Sequence, residues 1–380
     1  MMKICVVTGG RMDYGHLYKV MKLIDSSSHL ELQIIATCMH LSPEFGLTYS
    51  KIEEDGFKVN KKVECLLSSD TSASVAKSVG LACIGLADAY IDLNPDLILL
   101  MGDRYELLAA AQVALIMRIR IAHISGGDTT EGAYDEAIRH SITKMSHLHF
   151  VTNIDAHKRV KQLGENPKYI FNVGSPTIDY INETKMISKK ELEKKLDFNL
   201  KRVNIIFTYH PVTLNNNKNK EDLITIFDAL AELGDDTGIL ITKSNADDGG
   251  RILNQEIDKF TSKNKNAKAF DALGQFLYYN CINNFDCVVG NSSSGLFEVP
   301  TFNKPTVNIG DRQKGRMRSK SVIDCGIDRK EIVLAIKKAL NMDCSNLINP
   351  YGNGESSKKI VSLLENIDFK KISLQKKFYS

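Results

Sequence analysis

The feature that most constrains this chain is a repeated alternation between short apolar runs and longer amphipathic stretches. The runs are rich in β-branched residues: KICVVTG (3–9), LQIIATCM (32–39), DLILLMGD (96–103), RIAHISGG (120–127), LHFVTN (148–153) and IFNVGS (170–175). Between them lie helical patterns at 15–27, 74–93 and 105–119. A strand apolar at nearly every position needs cover on both faces, and intervening helices supply it by right-handed crossovers. The pattern therefore predicts α/β architecture with parallel sheets. A charged stretch, ETKMISKKELEKKLDFNLKR (183–202), interrupts it and reads as a helical surface linker. The alternation resumes at 204–211, 238–245, 285–293 and 305–311. Two doubly wound halves are expected, 1–185 and 186–364, followed by a basic tail (365–380) suited to packing back on the first. A length of 380 residues fits two such domains.

Charge and cysteine usage narrow the function classes. The formal net charge is only +3, with 49 basic against 46 acidic side chains, too balanced to argue for nucleic acid or a membrane surface. The eight cysteines show no CxxC pair and no Cys/His grouping at zinc spacing. They read as reduced, buried small hydrophobes, with no metal site implied. The first apolar run is too short for a signal sequence, and no apolar stretch of the length needed to cross a bilayer is expected. A soluble cytoplasmic protein is expected.

In open α/β sheets the ligand lies beyond the carboxyl ends of the strands, so chemistry is sought there. The first strand ends in TGGRMDYGH (8–16), whose glycines permit a tight turn and whose Arg11 suits a phosphate. Gly10 and Gly15 are not spaced as in the dinucleotide fingerprint, and a plain strand-to-helix turn remains open. GNSSSGLFEVP (290–300) is the stronger anion cradle. Asn291, Ser292, Ser293, Ser294 and Gly295 would hold a diphosphate at a helix start, with Glu298 toward ribose hydroxyls; a serine-rich N-cap is the simpler alternative. No GxxxxGK[ST] phosphate loop is present.

Carboxylates gather at the strand ends of the first half. MGDRYE places Asp103 and Arg104 after DLILL, and GGDTTEGAYDEAIRH adds Asp128, Glu131, Asp135 and Glu136. Clustered carboxylates repel one another and so favour protonated forms, as acid–base chemistry near neutral pH requires. Asp135 and Glu136 also suit an ordinary acidic first turn. In the second half His210 ends NIIFTYHP, Asn245 and Asp247 lie in SNADDGG (244–250), and Arg312 opens the basic run GDRQKGRMRSK. That run suits phosphates or a solvated loop.

Taken together, GGRMDYG, GDRYE, HISGGD…YDEAIRHSITKMSHLHF, YHPVT, SNADDGG, GNSSSGLFEVP and NIGDRQKGR resemble the hydrolysing UDP-N-acetylglucosamine 2-epimerases of bacterial sialic-acid pathways, from Lys3 to about Leu364. The resemblance implies two Rossmann-like domains in the GT-B arrangement, with the active site in the interdomain cleft. It also implies no added cofactor and a homodimer or homotetramer. The implied reaction is anti elimination of UDP to a 2-acetamidoglucal and syn addition of water, giving UDP and N-acetylmannosamine. Carbon 2 bears nitrogen, so oxidation to a ketone by NAD is not a route to epimerisation, which agrees with the missing fingerprint.

Departure of the diphosphate would then fall to Arg11, Arg104, His210, Ser292, Ser293 and Arg312. Proton transfer would fall to Asp103, matching the family's GDR, and Asp135, matching its acidic pair before I-R-H. The family's glutamate in H-I-E-G-G-E is Ser125 here, so Asp128 or Glu131 is expected to take its role. UDP-N-acetylglucosamine is the first substrate expectation. UDP-N,N′-diacetylbacillosamine, for legionaminic acid, is the alternative raised by the departure around Ser125. A GT-B glycosyltransferase and a UDP-sugar-binding protein without turnover are the readings from other classes.

Overall fold

The structure, a computed structural model, describes every residue except 70, 132, 213–217, 245–249 and 272, and the side chain of Lys370. The described residues form two compact units. The first comprises Met1–Asp128, Asp135–Asn182 and Tyr351–Ser380, and the second Thr129–Tyr134 and Glu183–Pro350.

The first unit is built on a seven-stranded, all-parallel sheet. Its strands are β1 (Met2–Thr8), β2 (Leu30–Thr37), β3 (Lys61–Val63), β4 (Leu97–Met101), β5 (Arg120–Ile124), β6 (Leu148–Val151) and β7 (Ile170–Asn172), in the order β3-β2-β1-β4-β5-β6-β7. Strand alternation explains the continuous apolar runs. Ile4 and Val6 of β1, with Leu97 and Leu99 of β4, pack in one core with Leu17, Val20, Met21 and Ile24 of helix Arg11–Asp25. Their neighbours Cys5, Val7, Ile98 and Leu100 enter a second core with helices Ser72–Leu93 and Tyr105–Ile116. Each strand is thus buried on both faces.

The second unit repeats the plan with β8 (Val203–Thr208), β9 (Thr237–Thr242), β10 (Ala267–Phe270), β11 (Cys287–Gly290), β12 (Thr306–Ile309) and β13 (Val322–Cys325), ordered β10-β9-β8-β11-β12-β13 and all parallel. Ile205, Phe207, Ile239, Ile241, Val289 and Val307 form its core with helices 219–231, 250–263 and 329–340. In both sheets the order reverses beside the first strand of the unit, where an open parallel sheet presents its binding crevice.

Three findings depart from the sequence reading. Residues 351–364 were assigned to the second half, yet Ile360, Val361 and Leu364 of helix Ser356–Asn366 enter the first unit's core. The helix is fixed there because the amides of Ser356 and Ser357 donate to the buried carboxylate of Asp179, at 3.0 and 2.5 Å. Residues 129–134 group with the second unit although both flanks belong to the first. Finally, helix Ser72–Leu93 is long and apolar enough, by length and composition, to cross a membrane, where no such segment was expected. Its composition reflects packing on one side, where Ala82, Leu86, Ala89 and Tyr90 are core residues. The tail from 365 lies in the first unit, with Lys376 Nζ 2.7 Å from Glu165 and the Tyr379 amide donating to Gly164 O at 2.9 Å.

Candidate active site

In the first unit the candidate acidic cluster begins where β4 stops. Gly102 takes φ +91, a left-handed conformation open to glycine, and delivers Asp103 beyond the strand end. Asp103 Oδ2 accepts from Arg139 Nη2, and Arg139 is almost wholly buried. The same guanidinium donates through Nη1 to Asp128 O at 2.9 Å and to Glu136 Oε2 at 3.1 Å. Glu136 Oε1 lies 3.1 Å from His140 Nε2. One planar cation thus fixes the orientation of two carboxylates that are each about a quarter exposed. Arg139 can do so because it lies one turn into helix Asp135–Met145, which also places Asp135 at its first position.

His123, buried in β5, supports the same tip. Its Nε2 lies 2.7 Å from Gly102 O and its Nδ1 3.1 Å from Thr143 Oγ1. Burial lowers its pKa to about 3, so the ring is neutral. A carbonyl can only accept; the ring proton therefore sits on Nε2, and Nδ1 accepts from the threonine.

The loop after β1 carries a second acidic group. Arg11 is exposed at the start of its helix. Glu106 is fully buried, so close under Gly9 that a β-carbon there would lie 1.9 Å from Glu106 Oε1. Arg104 Nε stands 3.4 Å from that oxygen. Beside them the pKa of Asp13 is raised to about 6, by burial first and the charge of Glu106 second, against the opposing effects of Arg104, His16 and the Gly9 amide.

Asp128 is placed differently from expectation. It is buried, and its carboxylate accepts from Thr152 Oγ1 at 2.9 and 3.0 Å and from Asn153 Nδ2 at 3.0 Å. Those bonds tie the β5 loop to the end of β6, a framework role. Ser125 adopts φ +65, unusual for a residue with a side chain and characteristic of strained functional loops. Glu131, the other expected replacement for the family glutamate, is exposed in the second unit beside Gly315.

In the second unit the tips of β8 and β11 are locked together. Gly290 has φ +134, and a β-carbon there would stand 1.9 Å from Thr208 O; only glycine fits. Asn291 is fully buried: its Oδ1 accepts from the His210 amide at 2.7 Å and its Nδ2 donates to His210 O at 2.8 Å. Its own carbonyl accepts from Arg312 Nη1 at 3.1 Å and Gln313 Nε2 at 2.8 Å. Asn291 was expected to face a diphosphate. Its amide instead clamps the His210 backbone, and its carbonyl holds Arg312 in place.

The serine run is also more occupied than its sequence suggests. Ser292 and Ser293 are partly exposed. Ser294 Oγ donates to Glu298 Oε2 and accepts from Tyr278 OH at 2.8 Å, while Tyr279 OH donates to Glu298 Oε1 at 2.8 Å. Glu298 is therefore a buried anchor for hydroxyls of its own unit. Gly295 backs onto β12, where an added β-carbon would lie 2.5 Å from Thr306 Cγ2. The helix that the run opens is a single turn, Ser294–Phe297, so the anion attraction expected of a long helix dipole is small. Asn245 and Asp247 lie outside the described residues.

Comparison with known proteins converges on one family. The family model described as UDP-N-acetylglucosamine 2-epimerase matches residues 22–365. The GDP/UDP-N,N′-diacetylbacillosamine 2-epimerase (hydrolyzing) of Campylobacter jejuni is 44% identical over 86% of this chain and 85% of its own length. The chain belongs to the UDP-N-acetylglucosamine 2-epimerase family. The UDP-N,N′-diacetylbacillosamine 2-epimerase of Legionella pneumophila is 33% identical, covering 96% of both chains. Among solved structures, the Neisseria meningitidis UDP-GlcNAc 2-epimerase bound to UDP-GlcNAc superposes with TM-score 0.81 at 19% identity, over 96% of this chain and 100% of that one, a likeness of fold.

Sequence inspection counted Glu136 among the clustered carboxylates but left Asp13, Glu106, Arg139 and His123 out of the candidate site. Arg139 and Glu136 carried a legible signal, since spacing three and four apart along a helix aligns Glu136 with Arg139 and His140. Asp13 and Glu106 carried none, because their proximity arises only when β1 and β4 pair side by side.

Proposed function

We propose that this chain is a hydrolysing 2-epimerase acting on a UDP-linked 2-acetamido sugar, without added cofactor, and that UDP-N,N′-diacetylbacillosamine is its substrate. The observation that carries the reaction type is Asp103, held at the β4 tip by a buried arginine that also orients Glu136. A base there removes the proton from C2 while the C1–O bond breaks and UDP leaves with the electron pair. Water then adds across the C1=C2 double bond, hydroxyl to C1 and a proton to C2, so that C2 is inverted and the free sugar is released. Asp135 is the proposed partner acid. His210, Arg11, Arg104, Ser292, Ser293 and Arg312 are proposed to meet the charge developing on the departing diphosphate.

The substrate choice rests on the relatives. Those at 44% and 33% identity are named for diacetylbacillosamine, whereas the Neisseria meningitidis UDP-N-acetylglucosamine 2-epimerase stands at 29% over the full chain. That order favours the reading that the sequence placed second. UDP-N-acetylglucosamine, giving N-acetylmannosamine, is the other reading, supported by the family model's description. Incubation with each UDP sugar in heavy water, followed by NMR, tests both. The diacetamido sugar should be released with one deuteron at C2; unlabelled product would overturn the proton-transfer chemistry. Turnover that appears only with an acceptor would point to a glycosyltransferase, and tight binding without product to a non-catalytic protein.

We place the enzyme in the cytoplasm, in nonulosonic (legionaminic or sialic) acid biosynthesis, as a homodimer or homotetramer. Exposed Ile84, Ile91, Leu115 and Ile116 on helices 72–93 and 105–116 support self-association. Light scattering would read a mass of one chain if that is wrong.

A further inference from the structure

Arg316 lies in the basic run 312–318, where a phosphate would be the obvious partner, yet its side chain is engaged elsewhere. Within the second unit its Nε donates to Thr129 O and its Nη2 to Thr130 Oγ1 at 2.5 Å. Its guanidinium also stacks over the Phe297 ring, 5.2 Å from the centroid, at the end of the short helix that follows the serine run. The adjoining Gly315, at φ +80, brings the backbone so near the same segment that a β-carbon would lie 2.7 Å from Glu131 Oε1 and 2.9 Å from Thr129 Oγ1.

Within the held segment, 129–134, the Ala133 amide donates to Thr130 O at 3.0 Å. The segment lies between β5 and helix Asp135–Met145 and belongs to neither, yet Thr129 and Thr130 are buried. Thr129 Oγ1 has no hydrogen-bond partner among the described residues. A buried hydroxyl without a partner is costly, and a bound polar group would relieve that cost. The segment ends at Tyr134, directly before Asp135.

We propose that Arg316 is a positioning residue that latches the 129–134 segment, so that Thr129 presents its hydroxyl to the bound sugar and Asp135 is delivered in the orientation needed for proton transfer. The proposal rests on the epimerase reading for its catalytic consequence but not for the latch itself. Arg316 is then no phosphate ligand, and its loss separates turnover from nucleotide affinity. Lysine is a poor substitute, because a single ammonium lacks the planar fork that reaches a carbonyl and a hydroxyl together and stacks on a ring.

The test uses Arg316→Ala, Arg316→Lys and Thr130→Val in the full chain. Turnover of Arg316→Ala should fall about ten- to hundred-fold, the loss that small misplacement of a reacting group produces. Its Kd for UDP by calorimetry should stay within about three-fold, since diphosphate contacts are untouched. Hydrogen exchange of the peptide spanning 129–138 should rise in Arg316→Ala. Thr130→Val should lower turnover in the wild-type background and add nothing to Arg316→Ala. Weakening of UDP binding in proportion to lost turnover would overturn the proposal in favour of a phosphate ligand, and additive effects of the two substitutions would refute the shared latch. Unchanged exchange at 129–138 would refute it even if the wild-type protein proved inactive on every sugar, so failure of the latch and failure of the epimerase reading are distinguishable.

Discussion

Acid should loosen the first unit selectively, at a pH where carboxylates are hardly titrating. Three histidines of that unit, His40, His123 and His147, are buried with pKa values lowered to about 4, about 3 and about 4, in each case chiefly by burial. A histidine held neutral in the fold but free to protonate when unfolded contributes no loss above about pH 6.5; below it the unfolded state binds protons that the native state refuses, and stability falls until the folded pKa is reached. At pH 5 each such histidine costs roughly 2 kcal/mol, and three together roughly 6. His149 shifts in the same direction. Asp13 opposes them: with its folded pKa raised to about 6, the native state takes up a proton before the unfolded chain does, and between pH 7 and 5 it adds back about 1 kcal/mol. Glu165, lowered to about 2, acts only below pH 4.5. The net loss is thus about 5 kcal/mol. Native-state hydrogen exchange at pH 7 and pH 5, corrected for intrinsic rates, should show it on protected amides of β1 and β5 and not on those of β8 and β11. His123→Gln should reduce the pH dependence by about 2 kcal/mol. A fall under about 1 kcal/mol on the first sheet, or an equal fall on both sheets, would refute the claim that burial keeps these rings neutral.

Three further outcomes follow from the same geometry. Asp103→Asn should lower kcat by about 10²–10⁴-fold, the range for loss of a positioned acid or base, with UDP affinity nearly unchanged; near-normal steady-state rates would remove Asp103 from the chemistry. Arg139→Met leaves Asp103, Glu136 and the Asp128 carbonyl without their cation, and because both carboxylates are about a quarter exposed the cost should be about 2–3 kcal/mol rather than the full value for a buried pair. Urea titration would read it, and Asp103→Asn in that background should cost less than it does alone. Gly290→Ala should destabilise the second unit by about 3 kcal/mol or more, since the new methyl meets the Thr208 carbonyl and φ is positive; a loss below about 1 kcal/mol would contradict the close approach of β8 and β11.

How much was legible depended on whether a residue's environment is set along the chain or across it. The central strands could be read because burial on both faces favours apolar residues at successive positions, as throughout β4. The edge strands β3, β10 and β13 escaped notice: KKV, AKAF and VIDC have one neighbour each and keep charged or partly exposed positions. Asp103 could be singled out for the same reason as its strand, since nothing local calls for a carboxylate after five buried residues. The roles of Asn291 and Glu298 could not. Their partners, the His210 backbone and the Tyr279 hydroxyl, come from other elements, and a polar side chain after a strand looks the same in sequence whether it faces a ligand or a neighbouring loop.

The serine at 125 brings these strands of the argument together. If the family's glutamate at that place moves a proton, another acid must take over here, and Asp128 was the nearest in sequence. Its carboxylate accepts from the Thr152 hydroxyl, which lies within reach of both oxygens, and from Asn153 Nδ2, and its carbonyl accepts from Arg139. A carboxylate that must leave such a network to take up a proton loses those bonds in the transition state, when a catalytic base needs its stabilisation most. Asp103 has its orientation set by one arginine and keeps exposed surface, and Asp135 stands at a helix start. Asp128 therefore fits a framework role, fixing the peptide from which the 129–134 segment departs, and Asp103 and Asp135 are the carboxylates we propose for proton transfer. Asp128→Asn, which keeps the shape but reverses one donor–acceptor relation with Thr152 or Asn153, should then cost stability before it costs chemistry in the fraction that remains folded.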